Sequence, residues 1–116
     1  MATKPTRKDL VWWRAEKPQT PPFSQEARRL VGYLLGLLQA GENIGLPFSR
    51  PMPSIGKQCH ELRVYDTGRK VNWRVIYRID DDAIVIAETF SKKRGRTPNK
   101  YIDIAKRRLI DYDAVA

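Results

Sequence analysis

Arg63, Arg74 and Arg78 are the residues in this chain whose type and spacing most invite chemistry. In CHELRVYD (59–66), Leu62 and Val64 take one parity, and Glu61, Arg63 and Tyr65 take the other. In NWRVIYRID (72–80), Trp73, Val75, Tyr77 and Ile79 alternate with Arg74, Ile76 and Arg78. A period of two is the signature of a strand. If the two strands are neighbours, the three guanidiniums project from one sheet face. Each is a planar fork able to grip a phosphate at two oxygens. Lys92, Lys93, Arg94 and Arg96 follow the next apolar run and would rim that face, and Lys57 precedes the first strand. Such a set can hold an RNA backbone and neutralise charge that develops on a phosphoryl group. Strand arginines also pair with carboxylates, and Glu61 and Glu88 are available. Taken singly, each arginine reads as structural; three of them with a basic loop point to a polyanion.

The totals agree. Of 116 residues, 22 are Lys or Arg and 13 are Asp or Glu, a net charge of +9. That excess sets up a field that attracts nucleic acid. The length fits one domain over residues 1–116, with residues 1–8 as a loose basic arm. With one cysteine, Cys59, and one histidine, His60, the chain can form no internal disulfide and offers too few ligands for structural zinc. Cys59 reads as a small buried residue. No run is long and apolar enough to span a membrane, and the basic N-terminus lacks the apolar segment of a secretory signal. The expected location is the cytoplasm.

The elements that would position these groups follow from pattern. Asp9 to Arg14 reads as an edge strand, with Trp12 and Trp13 as packing residues. Lys17 to Pro22 breaks regular structure. Ser24 is a good N-cap for a helix reaching Ala40, with Ala27, Leu30, Val31, Leu34, Leu35 and Leu38 on one stripe. Gly41 stops it. Residues 41–57 read as a long loop. The strands Cys59 to Asp66 and Asn72 to Asp80 come next, with Trp73 and Tyr77 as core. Ala83 to Phe90 is apolar almost throughout, as in a strand buried on both faces. Pro98 suits the first turn of a final helix ending near Tyr112. The fold class is α+β: an N-terminal helix packed on a curved antiparallel sheet of about four strands, then a short C-terminal helix.

Several stretches resemble the HigB-like, phage-derived branch of the RelE/ParE toxin superfamily. They are GKQCHELRV (56–64), WRVIYRID (73–80), AETFSKKRGRTP (87–98), and Ala105 with Arg108 on the last helix. The resemblance implies a curved antiparallel sheet with helices on one face, and a toxin that enters the ribosomal A site and cuts messenger RNA. It places the strand basic residue on Arg63, the second strand arginine on Arg74, and the basic position after the last strand on Lys93, with Lys92 beside it. Tyr101 is the nearest counterpart of the family's aromatic position. The implied reaction is attack of the RNA 2′-OH on the adjacent phosphorus, leaving a 2′,3′-cyclic phosphate and a 5′-hydroxyl. Arg74 and Lys93 would stabilise the developing charge, and Arg63 would hold the phosphate in line. Glu61 shares a strand face with Arg63 and is a candidate for the base. His60 has core parity and reads as a packing residue. The resemblance implies no metal or cofactor, and no catalytic Ser or Cys is needed, because the nucleophile belongs to the RNA. The implied protein partner is an antitoxin, a helix-turn-helix protein of the HigA type.

Two other functions fit the same residues. One is a superfamily member that poisons a protein target such as DNA gyrase without cutting RNA. The other is a plain RNA-binding module, with salt-sensitive affinity and no chemistry.

Overall fold

A computed structural model describes residues 7–13 and 22–115. The N-terminal helix α1 (Gln25–Gln39) starts at Ser24, whose hydroxyl accepts a bond from the Ala27 N–H at 3.2 Å. It ends as Gly41 takes φ 90°, a conformation that glycine adopts without strain. The strands are β1 (Asp9–Trp12), β2 (Ser49–Pro51), β3 (Cys59–Asp66), β4 (Val71–Ile79) and β5 (Ala83–Lys92). They form one open sheet in the order β1-β5-β4-β3-β2. The C-terminal helix α2 (Asn99–Val115) closes the described chain. Among the described residues no helix is long and apolar enough to cross a membrane.

Three features depart from the sequence-based expectation. The sheet has five strands and is mixed: β1 is an edge strand as its pattern suggests, but it runs parallel to β5, in register from Asp9 opposite Ala83 to Trp12 opposite Ile86. β2 lies within the stretch read as loop; it is three residues long and ends at Pro51, which has no N–H to donate and blunts that edge. The two helices cover opposite faces rather than one, and α2 runs to Val115 rather than stopping near Tyr112.

β5 shows why both faces are covered. Ile84 and Ile86 turn to the core under α1, with Leu62, Val64, Trp73, Val75 and Tyr77. Ala83, Val85 and Ala87 turn the other way, to Ala105 and Leu109 of α2. Ala105 is fully buried, and its small side chain lets α2 approach the sheet closely. Arg108 fixes that approach, donating to the Ala87 carbonyl at 3.0 Å and to Glu88 at 3.3 Å. Trp12 packs on the α1 core, and Trp13 meets Tyr112 edge-on at 5.3 Å.

A β-bulge interrupts the β4–β5 pairing, where Ile76 lies opposite Glu88 but Tyr77 lies opposite Ile86. The extra residue, Ala87, reverses the side-chain parity of β5 beyond it. Phe90 and Lys92 therefore share the α2-side face with Arg74. Lys8, the last residue of the expected arm, is tied to the end of α1. Lys8 N–H donates to the Gln39 carbonyl and Gln39 Nε2 to the Lys8 carbonyl, each at 2.9 Å. Residues 1–6 and 14–21, which include most of the expected KPQTPP break, lie outside the described residues.

A candidate nucleic-acid interface

On the α2 side of the sheet the helix covers only one half. The other half carries two rows of side chains set by the strand register. One row runs Arg63, Arg74 and Phe90; the next runs Tyr65, Asn72 and Lys92. Behind them lie Glu61 and Ile76, with Arg50 of β2 opposite Glu61.

Arg63 and Arg74 face each other directly across β3 and β4. The Arg63 N–H bonds the other way, to the Phe48 carbonyl at 2.7 Å. The pair is thus a non-hydrogen-bonded one, in which Cα atoms approach to about 4.5 Å. Like charges placed so are destabilising. Their neutralisation is incomplete. Glu61, fully buried, accepts from Arg50 Nε at 3.3 Å and from the Thr97 hydroxyl, and its carboxylate stands 4.0 Å from Arg74 Nε. Among the described residues, Glu61 is the carboxylate that opposes the mutual repulsion at Arg74 and Lys92. The Nε atoms of Arg63 and Arg74 are buried and have no hydrogen-bond partner among the described residues.

The crowding of like charges also acts on the proton equilibria. Burial pushes the Arg74 guanidinium below its ordinary value; Glu61 opposes this, and Arg63 and Arg50 add to it. Lys92 is also pushed down, by burial first and then by Arg74, with Arg50 and Arg63 contributing and Glu61 opposing. Its ammonium bonds the Arg96 carbonyl, closing the loop from 93 to 96 over the strand end. Gly95, at φ 91°, permits that tight loop.

The structure brings together Arg63, Arg74, Glu61 and Lys92 of the residues picked out from sequence. Lys93 stands apart from them: it follows the end of β5, is exposed, and offers its carbonyl to the Asn72 amide at 2.8 Å. The bulge, by reversing parity, gives Lys92 the place that unbroken alternation would give Lys93. Arg94 and Arg96 are exposed on the same loop. Arg78 lies four residues along β4 from Arg74, about 13 Å of strand. Its fork is filled by Asp80 at 2.7 and 3.0 Å and by Asp113 at 2.6 and 3.0 Å, and those bonds raise its pKa further. It anchors the end of α2 instead of facing the open half. Lys57 is exposed at that same far end, beyond Cys59, which pairs with Arg78.

Two members of the cluster were not picked out from sequence. Arg50 sits in a strand too short to leave a pattern. Thr97, buried, is recognisable only as the residue before Pro98. His60 stacks on Tyr77 at 5.4 Å on the α1 face, and burial lowers its pKa. Tyr101 stacks flat on Phe90 at 3.8 Å, which puts it one residue from Arg74 in the row. Cys59 is buried, and that burial raises its thiol pKa.

Residues 22–110 match the model of the family described as phage derived protein Gp49-like (DUF891). The chain belongs to that family, which is related to the RelE/ParE-type toxins. No curated protein matches the chain significantly.

Proposed function

We propose that the chain is a HigB-like toxin that binds messenger RNA on the ribosome and cuts it by attack of the RNA's own 2′-OH. The observation that carries this reading is the opposed Arg63–Arg74 pair, held at a cost in stability and short of counter-charge. A phosphate seated against the two guanidiniums would supply that charge. The 2′-OH gives its proton to water as its oxygen bonds to phosphorus and the bond from phosphorus to the 5′-oxygen breaks, giving a 2′,3′-cyclic phosphate and a 5′-hydroxyl. Arg63 and Arg74 hold the non-bridging oxygens, so the charge that grows there meets fixed cations in a partly dry site. Lys92, its pKa lowered by burial and Arg74, is suited to hand a proton to the departing oxygen.

Glu61 has a different part in this reading. Its oxygens are engaged by Arg50 and Thr97, so it positions the arginines rather than taking the 2′-OH proton. The partners that go with this function are the ribosome, at its A site, and a helix-turn-helix antitoxin. The reaction as written needs no metal or cofactor. The test is to add the protein to a translation reaction with a defined messenger, with free RNA and EDTA in a parallel tube, and to map RNA ends by primer extension. New ends bearing cyclic phosphate are expected. Intact messenger, at protein concentrations that saturate RNA binding, would reject the proposal.

A further inference from the structure

Tyr65 stands on the open half of the sheet in the row beside the arginine pair. Its strand buries Glu61, Leu62, Val64 and Asp66, and leaves Arg63 half-buried, yet Tyr65 is 55% exposed. Among the described residues no ring or cation stacks on it. A lone exposed tyrosine needs no explanation. Its place does, because it follows Arg63 by two residues on the same face and is separated from it by about 7 Å of strand. That is the order of the reach from a phosphate to the base of its own nucleotide. Phe48, 41% exposed, lies on the other side of Arg63, to whose N–H its carbonyl is bonded.

We infer that Tyr65 is a stacking platform for an unpaired nucleobase next to the phosphate held by Arg63 and Arg74. This rests on the RNA reading above and narrows it to single-stranded RNA whose bases are splayed from the backbone. A duplex hides its base faces and presents only backbone and groove edges. An arginine pair beside an exposed ring is the combination that single-strand readers use: cations track the backbone while a flat aromatic takes a base face. Stacking tolerates any base, so Tyr65 adds affinity and orientation without a strong sequence preference. By fixing the base it also turns the adjoining ribose, whose 2′-oxygen must line up with phosphorus.

The test uses a short single-stranded RNA, 2′-O-methylated throughout so that it cannot be cut. It carries 2-aminopurine at successive positions. Binding is measured by anisotropy and stacking by fluorescence quenching, on the wild type and on Tyr65→Phe, Tyr65→Leu and Tyr33→Ala. Tyr33 is exposed on α1 and serves as a control. Wild type and Tyr65→Phe should quench one position strongly. Tyr65→Leu should abolish that quenching and weaken binding by about 5- to 100-fold, as loss of one stacked base does. Tyr33→Ala should change neither. RNA bound equally well by Tyr65→Leu, with quenching intact, would overturn the role of Tyr65 and leave the RNA reading standing. Failure of the wild type to bind this RNA, even at low salt, would overturn both.

Discussion

Glu61→Gln isolates the counter-charge of the arginine cluster. Glu61 stands 4.0 Å from Arg74 Nε and 3.3 Å from Arg50 Nε. At an effective dielectric constant of about 20, a pair of unit charges at 4 Å attracts by about 4 kcal/mol. The Arg50 side chain is 34% exposed, so its share is screened towards the surface value of about 1 kcal/mol or less. Arg74 is buried, and removing one partner of a buried pair costs about 3–5 kcal/mol. Glutamine keeps one acceptor oxygen for Arg50, and its amide NH2 can donate to the Thr97 hydroxyl instead of accepting from it, so the lower end applies, about 3 kcal/mol. A urea titration should show it as a midpoint lowered by roughly 1–3 M. RNA affinity should move the opposite way. With one more net positive charge at the site, the slope of log affinity against log salt should steepen by about 0.7. Cutting should survive, because loss of a general base costs about a hundredfold or more and Glu61 is not assigned that role. Unchanged stability together with an unchanged salt slope would refute the counter-charge role. Tighter binding with cutting lost would make Glu61 the base.

Three further outcomes follow from the same contacts. Asp66, buried at the end of β3, meets the start of α1; burial alone would raise its pKa, but bonds from Ser24, Trp73 and Arg69 outweigh this and hold the carboxyl well below the usual range. Its contribution is therefore complete above the unfolded-state value of about 3.9 and is lost as pH falls below it, so Asp66→Asn should be less stable at neutral pH and show a flatter acid limb in denaturation. Arg78→Ala should lower stability by about 1 kcal/mol, since solvent can take over Asp113 and part of Asp80, while RNA affinity drops only by the loss of one distant charge; calorimetry and anisotropy on one sample decide this. Tyr77→Phe removes a buried bond to the Ser49 hydroxyl at 2.6 Å and should cost about 1–3 kcal/mol in urea unfolding, with cutting unchanged.

The parts of the fold that sequence reveals are those where one residue type repeats at a fixed period. The leucine stripe of α1, its Ser24 cap, and the alternation along β3 and β4 are of this kind, and they correctly place Arg63 and Arg74 on one face. The rest depends on contacts between distant segments. β2 is three residues of edge strand whose pairing is decided by β3. The parallel course of β1 depends on where the chain returns after a break that has no period of its own. The bulge at Ala87 is one added residue in an apolar run. Nothing local marks it, yet it turns Lys92 rather than Lys93 towards Arg74. Arg78 shares the strand and the parity of Arg74, and only the arrival of Asp113 from the end of α2 separates their roles.

In the proposed reaction Arg74 stabilises charge during cutting rather than simply holding RNA. Arg74→Ala tests it most directly, with cleavage of translated messenger and affinity for uncleavable RNA measured on the same folded preparation. Glu61 keeps Arg50 and Thr97 in this variant, so the sheet should survive. The expected result is a cleavage rate lower by about a hundred- to a thousandfold, with affinity lower by about tenfold or less. Equal losses in rate and affinity, or cutting that continues undiminished, would contradict it.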